Sequence, residues 1–311
     1  MLVAPALAAA AWAAYSRLAI DHAVDLPPAL DAPLRHRSGP AGTVAVYADR
    51  GAGGRPLVLL HSINAAASAR EMRPLFQHYR RTRSVIAVDL PGFGLADRGS
   101  RSYSAERYID AITDVLTGEA AGGADVIALS LTAEFAATVA ARQPELVRSL
   151  AMISPTGLGG HRPAAARRVR QISLGLSADL WRQPVFDLLV SRPSLRFFLG
   201  RTFVGPVDRD LLEYAFLTSH QPGAAYAPLA FVSGRLFNHR IADEVYSLLT
   251  VPTLVIYDDD PFITFDALPA VMDANGRLQA VRIVPSRGLP HWEKLPETAA
   301  ALAGFWAALE G

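Results

Sequence analysis

What most constrains this chain is a succession of short, unbroken apolar runs, rich in valine, isoleucine and leucine. The runs are Thr43 to Tyr47, Pro56 to His61 (PLVLLH), Ser84 to Asp89 (SVIAVD), Ala124 to Ser130 (ADVIALS), Ser149 to Ser154 (SLAMIS), Pro252 to Tyr257 (PTLVIY) and Ala280 to Val284 (AVRIV). A strand that is apolar at every position, rather than at alternate ones, has to be covered on both faces. Helical patterns separate the runs. They are Ala105 to Leu116, led by Ser104 as N-cap, then Thr132 to Ala141, and finally Glu297 to Leu309. Strand and helix in alternation predict an α/β fold, a mainly parallel central sheet flanked by helices.

One interval breaks this rhythm. From about Gly157 to Leu249 no buried-strand run occurs. Helical stretches such as Leu180 to Val190 and Arg209 to Thr218, punctuated by proline and glycine, take its place. The chain therefore reads as a core of residues 42–156 and 250–311, with residues 157–249 inserted as a helical cap or lid. Residues 21–41, with Pro27, Pro28, Pro33 and Pro40, read as a linker or irregular arm. Ahead of them, Met1 to Ser16 is uncharged and alanine-rich and ends at Arg17. That stretch is shorter than the ~20 apolar residues of a spanning helix. It also lacks the basic start of a secretory signal. Three readings stay open: a helix packed on the protein, a membrane anchor through residues 1–20, and a cleaved signal. The expected location is cytoplasmic, with membrane association added under the anchor reading.

Charge and cysteine content exclude several classes. Thirty basic residues face 29 acidic ones, a net charge of +1, so no global field favours nucleic acid or an anionic surface. The stretch Arg162 to Arg170 reads as a solvated helix face rather than a nucleic-acid patch. There is no cysteine, which removes disulfides, thiol catalysis and cysteine-ligated zinc.

Several segments could carry chemistry. Ser130 ends a buried strand and a helix begins immediately after it. A nucleophile in such a sharp turn needs small residues two places before and after, as in G-x-S-x-G. Here those places hold Ala128 and Thr132, and by itself the segment fits a helix cap equally well. His61-Ser62-Ile63-Asn64 follows another buried strand, with His61 read as structural. Asp89-Leu-Pro91-Gly92-Phe93-Gly94 leaves a third strand through a turn that Asp89 would tie.

Taken in order, LLHSINA, VDLPGFG, ALSLTAE and a C-terminal Asp/His pair make the chain from Gly42 onward resemble the α/β-hydrolase family with a helical cap. That family includes esterases, epoxide hydrolases, haloalkane dehalogenases and carbon–carbon bond hydrolases. The resemblance implies Ser130 as nucleophile and His291, in Gly288-Leu-Pro290-His291-Trp292, as base. It implies Asp260, before Pro261, as the acid, ahead of its neighbours Asp258 and Asp259. The backbone amides of Ile63 and Leu131 would form the oxyanion hole. Some members carry the acid before the cap, but Ser154-Pro155-Thr156-Gly157 has no carboxylate. Ala128, Thr132, Ser62, Tyr257 and Pro290 all stand where the family usually has glycine. No cofactor and no metal is implied. The expected activity is hydrolysis of a carboxylic ester, thioester or lactone through an acyl-enzyme. The cap segment holds Trp181, Phe186, Phe197, Phe198, Phe203 and Phe216; most read as core between cap helices and sheet and a minority as lining an apolar acyl pocket, so a small hydrophobic substrate is expected. A serine nucleophile argues against dehalogenase and epoxide hydrolase chemistry, whose members use aspartate there. Two other readings remain: a carbon–carbon bond hydrolase, and a catalytically impaired binding protein on the same fold.

Overall fold

Strand β3 (Leu57–Leu60) shows why the apolar runs are unbroken. Val58 and Leu60 point to one side of the sheet and Leu57 and Leu59 to the other, and all four are fully buried. Residues 3–100, 102–159 and 179–310 are described by this computed structural model, and Arg162 to Arg170 lie outside them.

The sheet has eight strands in the order β1-β2-β4-β3-β5-β6-β7-β8. They are β1 (Leu34–Gly39), β2 (Gly42–Asp49), β3, β4 (Val85–Asp89), β5 (Ala124–Leu129), β6 (Val147–Ile153), β7 (Thr253–Tyr257) and β8 (Leu278–Arg282). β1 pairs antiparallel with β2, and β2 antiparallel with β4. All remaining pairs are parallel. On one face lie α3 (Ala105–Glu119) and α4 (Thr132–Arg142), contributing Tyr108, Ile112, Val115, Phe135 and Val139 to the core. On the other lie α2 (Arg73–Tyr79) and, at the C-terminus, a helix of residues Leu295–Ala307, contributing Leu75, Phe76, Leu302 and Phe305. Each fully buried leucine or phenylalanine contributes roughly 1.5–3 kcal/mol through burial.

Between β6 and β7 come five helices among the described residues: α5 (Asp179–Leu189), α6 (Arg192–Arg201), α7 (Arg209–Ser219), α8 (Tyr226–Val232) and α9 (Ile241–Glu244). Phe186, Val190, Leu195 and Ala215 of this region pack with Ala65 and Ala66, which follow β3. After β7 the chain adds α10 (Leu268–Ala274), a short α11 (Pro290–Glu293) and α12 (Leu295–Ala307).

Two expectations are corrected. Residues 34–39, expected as part of an irregular arm, form edge strand β1, whose Arg35, His36 and Arg37 give it the polar character of an unpaired edge. β8 sits two residues earlier than Ala280 to Val284, because it is an edge strand with an interrupted apolar pattern.

The N-terminal stretch forms α1 (Val3–Leu18), which docks on α5. Trp12 Nε1 donates to the Pro184 carbonyl at 2.7 Å, and Ser16 Oγ donates to Asp187 at 2.6 Å. His22 Nε2 lies 3.0 Å from the same buried carboxylate. At 16 residues α1 spans about 24 Å, against about 30 Å of bilayer hydrocarbon. Among the described residues, no helix is long and apolar enough to cross a membrane.

Candidate active site

The segments that follow the carboxyl ends of the parallel strands carry Ile63, Ser130, Leu131, Asp260 and His291. This is the edge where open α/β sheets hold their ligands. Ser130 follows β5 directly and has φ of +55°. A side-chain-bearing residue in that left-handed region is strained and is held by its surroundings. The hold is visible: Ser130 N donates to the Ile153 carbonyl of β6 at 2.9 Å. Ala133 N donates back to the Ser130 carbonyl at 3.1 Å, which starts α4 at once. The serine side chain is thereby presented on a tight strand–turn–helix bend and remains half-buried.

Thr132, bulkier than the usual glycine, is fully buried. Its hydroxyl donates to the His61 carbonyl at 2.6 Å, tying the elbow to the loop after β3. That loop is pinned again by His61. Leu90 N donates to His61 Nε2 at 3.0 Å, so Nδ1 carries the proton and donates to the Ser62 carbonyl at 2.5 Å. His61 is structural, as its sequence position suggested. Asp89 is structural too, accepting from Ala69 N, Leu95 N and Tyr47 Oη at 2.7, 2.9 and 2.9 Å. Among the described residues neither the Ile63 nor the Leu131 amide donates to a protein group.

The acid loop separates its three aspartates. Asp258 is buried and occupied by Arg282 Nε at 2.8 Å and Ser286 N at 2.7 Å. Asp259 is exposed and pairs with Arg282. Asp260 accepts from Phe262 N and Ile263 N through Oδ1, at 2.7 and 3.1 Å. Its Oδ2 faces the loop after β8: a methyl group on Gly288 would lie 2.7 Å from it. Burial raises the Asp260 pKa against the opposing pull of the two amides.

His291 is the second residue of α11 and is completely buried. Its Nε2 contacts the Glu71 carbonyl at 2.8 Å. A carbonyl only accepts, so Nε2 holds the proton and Nδ1 holds the lone pair. Nδ1 is buried with no partner among the described residues. Trp292 Nε1 donates to the same carbonyl at 2.6 Å. Desolvation lowers the His291 pKa to about 4. No hydrogen bond among the described residues joins Ser130, His291 and Asp260 to one another.

Sequence reasoning missed three residues here. Glu71 stands three places after the N-cap Ser68, a pattern that locally reads as a capping box. Its carboxylate instead reaches the loop after β3. Glu134, on the first turn of α4, accepts from Thr156 Oγ1 and, at 2.9 Å, from Asn238 N. Burial raises its pKa to about 7. Ser154, at the end of β6, is the other side-chain-bearing residue in the left-handed region among the described residues, with φ of +44°. Only tertiary contacts mark these three. Of the six aromatic residues expected in the cap, Phe186 and Phe203 are buried, while Phe197 and Phe198 are exposed and cluster with Phe262 of the acid loop.

The sheet order, the strained serine elbow and the loop after β3 define an α/β-hydrolase. The pattern of the alpha/beta hydrolase family matches residues 57–302, and the chain belongs to that family. It is similar to 2-(acetamidomethylene)succinate hydrolase of Mesorhizobium japonicum, 36% identical over 105 residues, covering 33% of this chain and 37% of that one. It is similar as well to 2-hydroxymuconate semialdehyde hydrolase of Pseudomonas sp. strain CF600, 30% identical over 112 residues, covering 35% of this chain and 39% of that one. The chain thus spans well under half the length of these curated relatives. Carboxylesterase CesB of Bacillus subtilis shares the fold, with a TM-score of 0.70, 14% identity, and 97% of each chain covered.

Proposed function

We propose that the chain is a serine hydrolase that forms an acyl-enzyme on Ser130. The observation that carries this reading is the elbow: a serine held at φ of +55° between β5 and α4, with the Ile63 and Leu131 amides making no bond to protein among the described residues. In the proposed reaction, Ser130 Oγ attacks a carbonyl carbon and its proton passes to the His291 imidazole. The amides of Ile63 and Leu131 hold the oxyanion, and each such donor is worth on the order of 10²–10³ in rate. The imidazolium protonates the leaving group, and water then releases the acyl group from Ser130. Asp260 orients the imidazole. For this, His291 has to leave the Glu71 carbonyl and turn a lone pair toward Ser130. In this reading, the His291 ring against the Glu71 carbonyl is the parked state of the base.

The proposed substrate is a small ester, thioester or lactone with an apolar acyl group. The exposed Phe197, Phe198 and Phe262 beside the acid loop support it. A second reading, cleavage of a carbon–carbon bond next to a carbonyl by the same serine, is favoured by the names of the two curated relatives. A fluorophosphonate probe tests the shared step: wild-type protein is labelled on Ser130 and Ser130→Ala is not. An unlabelled, folded wild type leaves the binding-protein reading. Turnover of p-nitrophenyl esters against vinylogous diketones then separates the two chemistries.

A further inference from the structure

Glu71 takes no part in the reaction just described, yet it touches both loops that the reaction needs. Its side chain is buried, and all its donors are neutral. Oε2 accepts from Ser62 N at 2.8 Å. Oε1 accepts from Ser62 Oγ at 3.1 Å and from Asn64 Nδ2 at 2.8 Å. Ser62 and Asn64 are the two neighbours of Ile63, so the carboxylate grips the loop on either side of the amide assigned to the oxyanion. The main-chain carbonyl of Glu71 accepts from His291 and Trp292 at 2.8 and 2.6 Å. One residue on the turn after β3 thus holds the oxyanion loop with its side chain and the base-bearing helix α11 with its backbone.

We propose that Glu71 is a positioning residue that aims the Ile63 amide and couples the oxyanion loop to the base. The grip on Asn64 extends along the loop, because Asn64 Oδ1 accepts from Ala66 N at 2.8 Å and fixes the next turn. Any shift of residue 71 that releases the His291 ring also shifts Ser62 and Asn64, so oxyanion hole and base rearrange together. The catalytic consequence rests on the proposed roles of Ser130, Ile63 and His291, whereas the grip on the loop is independent of them.

The test combines Glu71→Gln, Glu71→Ala and Glu71→Asp with two readouts. The first is hydrogen–deuterium exchange of the segment spanning residues 61–66. The second is the kcat and KM of ester hydrolysis. Expected are faster exchange in that segment for E71A, a kcat about 10²-fold lower with KM within about twofold, and partial rescue by E71Q. E71D, one methylene short, behaves as E71A. Unchanged exchange and unchanged kcat in folded E71A overturn the proposal. So does an equal loss in all three variants that follows thermal stability alone. If E71A does not fold, Asn64→Ala and Ser62→Ala remove partners of the same carboxylate singly, and unchanged exchange in both overturns it equally. A wild type that hydrolyses nothing and takes no probe overturns the serine reading, while the exchange result still decides whether Glu71 holds the loop.

Discussion

Thr132 is the residue whose sequence looks least suited to its place and whose structure explains it best. A glycine there would relieve crowding, but the threonine hydroxyl satisfies the His61 carbonyl and joins the elbow to the oxyanion loop. Leaving a buried carbonyl unpaired costs about 1–3 kcal/mol. Thr132→Val, which keeps the shape and loses the hydroxyl, is expected to lower stability by about that amount in urea denaturation, and Thr132→Ser by much less. Equal midpoints for the two variants would rule out the hydrogen bond as the reason for threonine. Ser130 shows the limit of local reading. Its neighbours Ala128 and Thr132 fit a capped helix as well as a nucleophile. The positive φ that distinguishes the two accompanies a bond from Ser130 N to the Ile153 carbonyl on the adjacent strand.

At the scale of elements, the strands were the most legible part, because a strand covered on both faces has a composition that little else produces. Edge strand β1 was not legible, since its exposed side chains follow solvent rather than a core. The N-terminal helix was legible as a helix, with docking on the protein one of three open readings, but its docking partner was not legible. Its partner, Asp187, lies far away in sequence and accepts from Ser16, His22 and Gln183. Asp187→Ala is expected to free α1 and speed tryptic cleavage at the exposed Arg17. Cleavage at the wild-type rate would show that apolar contacts alone hold the helix. Leu7, Tyr15 and Leu18 on its outer side stay exposed while docked.

For the whole molecule, two buried groups set opposing pH dependences. Glu134 has its pKa raised from 4.5 to about 7. The folded state therefore binds a proton that the unfolded state has released, and stability falls as pH rises through that window. His291 has its pKa lowered from 6.5 to about 4. Here the unfolded state binds the extra proton, and stability rises with pH over nearly the same window. Each effect is about 3 kcal/mol in full, so the two nearly cancel. Glu134→Gln removes one side of the balance. Its unfolding free energy is expected to climb more steeply between pH 4 and pH 6.5 than that of the wild type. A Gln variant with the same slope as the wild type would mean that Glu134 ionises freely in the folded protein. Because Glu134 bonds Thr156 and Asn238, this balance acts where the chain leaves the sheet after β6 and where it approaches β7 again.

The sequence by itself determined the layers, the parallel sheet and the order of the loops that carry Ser130, Asp260 and His291. Apolar periodicity and turn residues are local properties, and burial on both faces leaves a mark on every residue of a strand. Tertiary structure alone decided which hydrogen bonds those loops make. Asp258 turned out to be occupied by Arg282 and Ser286, Glu71 left its helix cap for Ser62 and Asn64, and His291 settled on the Glu71 carbonyl. A buried polar group takes whichever partner the packing brings within about 3 Å. That partner comes from a distant part of the chain, so no local pattern announces it.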